Sequence, residues 1–473
     1  MENKVQKYFC YMFCVIVLFI SCAAFKNYPG KWYVYILFTI ALNALLFFGF
    51  RKNRLFFDTF IGILFWLGFW LKLSVRVGFL EGKFCERFGS FDFSGTSYDH
   101  ALVVTTCGVA ALLAASIIRE KWIFRYPDRK ENKENIGLEG LFIFYKTHRK
   151  LILIGFVGLF LAISLTNMYF GIYQKGMVSR TILPFGLRGI YSWLLLFGAT
   201  SISAILLNFD FNLKKSSYLV VFFSLLESFF SSVSMLSRGM VINVSSLALG
   251  AYEGFKNSIL ASKFRLMAFS LVMFFILFSC SIIIATHLRG FYFSKGNYSH
   301  SDFSLKYIPG TTRVLVLDRW VGIEGVMAVS SSDKLGWDLW KKAWNEKYFD
   351  YGTSLYDLDI IATSSYAEID TSKLHHISTP GILAFFYYPG SLFFLFFSMF
   401  LIGLIGAGIE IFVHKLGESN LILCSLFAQV VAYRYAHFGY VPGQSYLLFG
   451  ALFLNMLLIY YANKFLLFFY KSR

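Results

Sequence analysis

A histidine, an arginine and two tyrosines stand close together in the apolar segment LILCSLFAQVVAYRYAHFGY, residues 421–440. Tyr433, His437 and Tyr440 recur at helical spacing and would share one face of an α-helix, with Arg434 one step around it. Histidine exchanges a proton near neutral pH, and an arginine this far inside an apolar helix requires an anion nearby. The spacing favours a site at the end of a helix. An aromatic belt with a structural ion pair is the alternative.

A second polar stripe follows the segment LLESFFSSVSMLSRG, residues 225–239. Glu227, Ser231, Ser234 and Arg238 fall on one helical face. An ionisable side chain in a membrane helix costs about 2.5 to 3.5 kcal/mol at the centre, so Glu227 must face a partner or a wet cavity. The stripe therefore predicts either a functional Arg238 or a serine-rich packing face that pairs Glu227 with another helix.

The longest hydrophilic stretch of the chain runs from residue 287 to residue 379 and contains further candidates. Arg289 stands at its start, and Arg319, Trp320 and Glu324 lie in the glycine-spaced segment DRWVGIEGVMAV. Arginine presents a planar fork that suits phosphate oxygens, and a carboxylate can act as a general base. The stretch therefore offers both anion-binding and proton-accepting groups.

Three tryptophans share a helical face in the segment LGWDLWKKAWNEKYF of the same stretch. Trp337, Trp340 and Trp344 stand at offsets of three and four residues, with charged residues between them. This pattern is typical of a helix that lies in a membrane interface. Stacking of the indole rings on sugar rings is the alternative.

The stretch ends in an irregular segment. His375 precedes a Pro-Gly pair at 380–381, and a second Pro-Gly pair follows at 389–390. Two such breaks predict a short re-entrant or interfacial turn before an apolar span at 391–413. Because irregular backbone at that depth is tolerated only against protein or water, a cavity is expected beside it.

The elements that must position these residues are membrane helices. The chain has 473 residues, of which 57% are hydrophobic, 20% aromatic and only 15% charged, against about 25% charged in a typical soluble protein. Apolar stretches of about 20 residues, the length that spans a bilayer as a helix, separate the charged clusters. The twelve candidate spans are 8–25, 32–50, 55–73, 100–118, 151–170, 189–207, 217–236, 240–254, 266–286, 382–413, 421–440 and 444–466.

The basic residues indicate the orientation of these spans. With both termini in the cytoplasm, the basic clusters, above all Arg119 to Lys150, fall in the inner loops. We therefore expect an all-α polytopic protein of about 12 transmembrane helices, with a membrane domain at 1–286, a large outer loop at 287–379 and a second membrane part at 380–473. Removal of the first span as a signal peptide would invert this bias, so we expect it to be retained. The net charge of +17 is then a topology signal, and no nucleic-acid partner is expected.

Cations exceed acids at the expected outer face, and most of them are arginines. A site of convergent arginines in the outer leaflet would suit a lipid-linked pyrophosphate. No phosphate-binding loop, acidic metal cage, Ser-His-Asp spacing or Cys-His motif offers a competing chemistry. The arginines of this face are Arg180, Arg188, Arg238, Arg289, Arg313, Arg319 and Arg434.

The chain resembles the bacterial oligosaccharide repeat-unit polymerases of the Wzy type, which assemble O-antigen. The resemblance lies in SRG at 237–239, RG at 289–290, RWVGIEG at 319–325, the Pro-Gly re-entry, and the overall pattern of aromatic-rich spans with one late outer loop. It implies an inner-membrane glycosyltransferase of class C-like architecture that faces the periplasm and uses no metal, nucleotide or other cofactor. Such an enzyme moves the growing glycan from undecaprenyl pyrophosphate to a sugar hydroxyl of the next lipid-linked repeat unit. Its partners would be those lipid-linked oligosaccharides, the membrane lipids and a chain-length regulator.

For that reaction we assign the candidate residues to three roles. Convergent arginines would bind the pyrophosphate, a general base would take the proton of the attacking hydroxyl, and aromatic residues would contact the glycan. The pyrophosphate candidates are Arg238, Arg289, Arg319 and Arg434, with Arg180 in support. The base candidates are Glu324 and His437, ahead of His375, and the glycan candidates are Trp320, Tyr433 and Tyr440.

Four other classes stay open at this point. An O-antigen ligase shares the donor and differs only in its acceptor, so the residues do not separate it from a polymerase. A flippase for lipid-linked oligosaccharides would also need a basic cavity, although the long outer loop disfavours it. A transferase that uses a polyprenyl-phosphate sugar would need acids in the first outer loop, KNYPGK, which has none. An acyltransferase would need a histidine in an apolar, reactive setting near the start of the chain, and the sequence has none there.

Overall fold

A computed structural model of the protein describes residues 2–51, 54–84, 88–126, 136–213, 217–237, 239–262, 264–293, 317–347, 354–361 and 377–472. Within these ranges the regular secondary structure is entirely helical, as the composition predicts. Apolar residues dominate nearly every long helix. Such segments form helices because a helix satisfies its own backbone hydrogen bonds, as a lipid environment requires.

The helices are numbered in chain order. The first nine are α1 (Glu2–Asn27), α2 (Trp32–Phe48), α3 (Phe56–Phe79), α4 (Gly95–Trp122), α5 (Glu139–Phe170), α6 (Leu187–Asn212), α7 (Tyr218–Ser234), α8 (Met240–Ser262) and α9 (Phe264–Phe293). The others are α10 (Ile323–Ser330), α11 (Trp337–Trp344), α12 (Ile382–Phe386), α13 (Leu392–Leu416), α14 (Leu421–Ala436) and α15 (Ser445–Lys471). Helix α3 contains a π-helical turn at Trp66–Leu71.

Several of these helices have the length and composition of membrane spans. Seven helical segments among the described residues are long and apolar enough to cross a membrane: Phe56–Phe79, Gly95–Trp122, Glu139–Phe170, Leu187–Asn212, Arg265–Arg289, Leu392–Leu416 and Pro442–Lys471. Four shorter apolar helices accompany them, at Tyr11–Asn27, Trp32–Phe48, Tyr218–Ser234 and Leu421–Ala436. The chain therefore has the architecture of an all-helical, multi-pass membrane protein.

Two boundaries differ from those expected from hydropathy. Helix α9 continues to Phe293, so His287 and Arg289 lie on its last turns and do not open a loop at residue 287. The helix continues where its side chains become polar. Hydropathy follows side-chain polarity and therefore does not locate the end of a helix. The apolar stretch 382–413 is not one helix: α12 and α13 are separated by a turn at Pro389 and Gly390, where Gly390 has a φ of +74°. The expected Pro-Gly break is thus present.

Helix α14 lies at the centre of the bundle. It packs against α3, α6, α8 and α13, and twelve of its sixteen residues are buried. Helix α9, in contrast, packs chiefly on α7 and α8 and exposes most of its apolar surface. The C-terminal end of α14 is therefore held by several neighbours, as a precisely arranged site requires.

Candidate anion-binding site

The C-terminal end of α14 presents a tyrosine, an arginine and a histidine. His437, which follows the last residue of the helix, stacks its ring on that of Tyr433 with 4.0 Å between the centroids and 27° between the planes. His437 Nδ1 is 3.1 Å from the Tyr433 carbonyl oxygen. Because a carbonyl only accepts, Nδ1 carries the proton of the neutral ring and Nε2 is left as its acceptor. Arg434, which follows Tyr433 in the sequence, donates from Nε to Ser445 Oγ at 3.1 Å.

Lys175 reaches the same place from the segment between α5 and α6. Its backbone N–H donates to the Met235 carbonyl oxygen at 2.9 Å, which ties the segment to the end of α7. Its Nζ lies 6.0 Å from the centre of the Tyr433 ring. A cation at that distance over an aromatic face is attracted by the ring. Lys175 is therefore anchored at its backbone and placed beside the α14 residues by its side chain.

Two further cations come from α9 and from the segment before α10. Arg289 on α9 donates from Nη2 to the Lys175 carbonyl oxygen, at 3.4 Å. Arg319 is close enough for its charge to act on Lys175 and on His437, as the charge of Arg434 also does on His437. Four cations from four separate parts of the chain thus lie beside the Tyr433–His437 pair.

Three of the four cations have no carboxylate partner in the part of the chain that the structure describes. Within the described ranges, no ion pair joins Lys175, Arg319 or Arg434 to a carboxylate. Burial lowers the pKa of Lys175 to about 8, and the charges of Arg319 and Arg289 add to the effect. The four cations are partly buried, so water screens them incompletely. An arrangement of this kind is stabilised by a ligand that carries more than one negative charge.

Five of the eleven candidates named from the sequence meet in this cluster: Arg289, Arg319, Arg434, Tyr433 and His437. Trp320 lies at its border, with its ring centre 6.0 Å from the Arg319 guanidinium. Tyr440 follows α14 and is partly buried. The cluster brings together residues that are more than 140 positions apart in the sequence, such as Arg289 and Arg434.

Two candidates are engaged in other contacts. Glu324 is 5% exposed and forms an ion pair with Lys72, at 2.7 Å between Oε1 and Nζ. Its role as a general base remains a prediction, and in the structure its carboxylate is occupied by the ion pair with Lys72. Arg180 is exposed and donates from Nη2 to the Met168 carbonyl oxygen at 3.1 Å, near the C-terminal end of α5. This contact satisfies a helix-terminal carbonyl group.

Three of the arginines and histidines named from the sequence, Arg238, Arg313 and His375, lie outside the described residues. The polar stripe that leads to Arg238 is described, however. The Glu227 carboxylate is fully buried and accepts hydrogen bonds from Thr200 at 3.2 Å and from Ser231 at 3.0 Å. Since Thr200 belongs to α6, the contacts of Glu227 agree with the serine-rich packing face.

The tryptophans of α11 pack onto the start of a membrane-length helix. Trp340 stacks on Trp344 with 5.5 Å between centroids. The Trp337 and Trp340 rings lie 5.0 and 5.4 Å from that of Phe394, which belongs to the first turn of α13. These contacts hold α11 against the bundle, and Trp337 remains half-exposed.

Sequence reasoning missed Lys175 as a member of the site. It lies in GIYQKGMVSRTILPFGLR, residues 171–188, which contains three cations and no acid, and this imbalance was the available signal. Together the cluster can bind a polyanion through four cations, accept a proton at His437 Nε2 and stack a ring on the partly buried Tyr433 or Trp320. No family model, curated protein or solved structure matches the chain.

Proposed function

We propose that the protein is an oligosaccharide repeat-unit polymerase of the Wzy type in the bacterial inner membrane. It transfers the growing glycan from undecaprenyl pyrophosphate to a sugar hydroxyl of the next repeat unit, which is carried on its own undecaprenyl pyrophosphate. The observation that carries the proposal is the convergence of Lys175, Arg289, Arg319 and Arg434 beside the Tyr433–His437 pair. A pyrophosphate diester would supply negative charge to Lys175, Arg319 and Arg434, which form no ion pair within the described residues.

The proposed topology has twelve spans, α1–α9 and α13–α15, with both termini in the cytoplasm. Helices α10–α12 then belong to the large periplasmic loop and its return to the membrane. In this orientation α9 and α14 both run outward, so Arg289 and Arg434 lie at the periplasmic face. The basic clusters between α4 and α5 and at both termini then lie on the cytoplasmic side, in agreement with the positive-inside rule.

The position of the cluster suits a lipid-linked substrate. Arg289 and His437 stand at the ends of apolar helices, where a polar head group lies while its polyprenyl chain stays in the bilayer. A soluble nucleotide sugar would call for a soluble domain that binds nucleotides. The sequence contains no phosphate-binding loop of that kind. The donor class that fits is therefore a glycan on a lipid pyrophosphate.

The reaction needs two services from the protein. The acceptor hydroxyl oxygen attacks the anomeric carbon, a new glycosidic C–O bond forms, and the bond between that carbon and the pyrophosphate oxygen breaks. His437 Nε2 accepts the hydroxyl proton, since Nδ1 is held by the Tyr433 carbonyl oxygen. The cations stabilise the charge that develops on the departing undecaprenyl pyrophosphate. Stabilisation of this kind by preorganised groups is usually the largest contribution to the rate acceleration of an enzyme.

Deletion of the gene tests the proposal in the native host. Loss of a polymerase leaves the lipid A core capped with a single repeat unit, whereas loss of a flippase or a ligase leaves it uncapped. We expect the single-repeat form, restoration of the full ladder by the wild-type gene, and no restoration by Arg289→Ala or Arg434→Ala at equal protein level. A wild-type ladder in the deletion strain would overturn the proposal, and an uncapped core would assign the protein to one of the other two classes.

A further inference from the structure

The segment that carries Arg319 is clamped against one flank of α3. Lys72 Nζ donates to the Trp320 carbonyl oxygen at 2.6 Å and pairs with the Glu324 carboxylate at 2.7 Å. Arg76, four residues later, forms an ion pair with Asp318. Arg319 is therefore held between two ion pairs, one on each side of it in the sequence.

The backbones interlock at the same flank. Gly68, four residues before Lys72, lies in the π-helical turn of α3 and faces Val321 and Gly322. A Cβ atom on Gly68 would overlap the Val321 carbonyl oxygen, and one on Gly322 would overlap the Gly68 carbonyl oxygen. Only glycine at both positions permits this approach of the segment to α3.

Both cations of the clamp are buried more deeply than the arginine that they flank. Lys72 and Arg76 are each 1% exposed, whereas Arg319 is only partly buried. A buried cation that loses its partner is strongly unfavourable, so each ion pair keeps its geometry within narrow limits. Buried ion pairs contribute little net stability, and their better-attested effect is to fix one arrangement over others.

From these contacts we propose that Lys72 and Arg76 are positioning residues, which hold the 318–324 segment on α3 and thereby direct Arg319 toward Lys175 and His437. They touch no substrate in this scheme and act only through Arg319. The effect of these residues on activity rests on the proposed function. The position of residue 319 can also be measured without any turnover.

A crosslinking experiment tests the position directly. Cysteines replace Lys175 and Arg319, and a short bifunctional thiol reagent joins them in native membranes, with the protein lacking the two new cysteines as the blank. We expect crosslinking to fall at least fivefold when Lys72→Met or Arg76→Gln is added, and to remain when the exposed Lys83, whose partner is Glu81, is changed to Ala. Unchanged crosslinking in both clamp variants contradicts the proposal, whatever the protein does.

A double-mutant cycle supplies the functional arm. Arg76→Gln should lower the rate of glycan polymerisation at least tenfold in the wild-type background and less than twofold in an Arg319→Ala background. Equal losses in both backgrounds would show that the clamp acts elsewhere. If Arg76→Gln does not fold, the exchanged pair Arg76→Asp with Asp318→Arg replaces it and should recover both crosslinking and activity. If the cysteine pair crosslinks and the crosslinking falls in the clamp variants, while the wild-type protein does not polymerise, the proposed function is refuted and the positioning role stands.

Discussion

The Lys175 ammonium lies 6.0 Å from the centre of the Tyr433 ring, and this contact joins the segment after α5 to the end of the central helix α14. Tyr433 in turn stacks on His437. A titratable lysine, an aromatic face and an imidazole acceptor therefore form a continuous surface. Arg319 acts electrostatically on both Lys175 and His437, so the surface is strongly positive.

Lys175 should give the reaction a pH dependence in the mildly alkaline range. Its pKa in the protein without ligand is about 8, so its charge is present below that pH and is lost above it. We expect kcat/KM to fall as the pH rises through 8, because the pyrophosphate then loses one of its cations. The effect on kcat should be smaller, since a bound anion raises the lysine pKa again.

Two substitutions at this position separate the charge from the side chain. Lys175→Arg stays charged and should keep kcat/KM level up to at least pH 9. Lys175→Met should lower it about tenfold or more below pH 8, the value of one charge-assisted hydrogen bond. The same decline through pH 8 in the arginine variant would show that another group titrates.

Arg289 and Arg434 should be needed for polymer formation. Replacement of either by alanine removes one cation from the leaving-group site and should lower kcat about 100-fold or more, as the loss of one transition-state donor does elsewhere. The exposed Arg125, which donates to the Glu120 carbonyl oxygen, supplies the control, and Arg125→Ala should leave the ladder unchanged. Wild-type ladders from both Arg289→Ala and Arg434→Ala would rule out a phosphate clamp.

His437 should affect the chemical step more than substrate binding. His437→Gln retains a polar side chain but not a base, and we expect kcat to fall between about 10² and 10⁴-fold while KM changes little. Glu324→Gln provides the comparison: because Glu324 pairs with Lys72 in the clamp, we expect this variant to lower the rate while kcat keeps its dependence on pH. If Glu324→Gln abolishes the dependence of kcat on pH and His437→Gln does not, then Glu324 is the general base and His437 is not.

The close contact between Gly322 and Gly68 should make alanine intolerable at residue 322. The added Cβ has no room against the Gly68 carbonyl oxygen, and overpacking of this kind usually costs about 1 to 3 kcal/mol. We expect a lower melting temperature in detergent and reduced activity. Gly336→Ala, where a Cβ would meet open space, is the matched control and should leave both properties near wild type. Equal behaviour of the two variants would contradict the packing account.

The local part of the site could be predicted from the sequence. Tyr433, Arg434 and His437 lie within two turns of one apolar segment, and helical periodicity alone places them together. The break between α12 and α13 was equally accessible, because Pro and Gly act on the backbone where they stand.

Contacts between distant segments could not be predicted in the same way. Lys72 donates to the carbonyl group of Trp320, 248 positions away, and nothing in either segment identifies the other. Lys175 joins the cluster only because its segment folds over the end of α14. The extension of α9 to Phe293 was missed because a helix does not end where its side chains become polar.

The most direct test of the proposed activity uses the purified protein and its own substrate. Lipid-linked single repeat units, extracted from the deletion strain, are incubated with the wild-type protein in proteoliposomes, without metal ions or nucleotides. We expect glycans of two and more repeats on the lipid, together with one released undecaprenyl pyrophosphate for each bond formed, and neither product with Arg434→Ala. Single repeats that remain unchanged in the presence of folded wild-type protein would contradict the account.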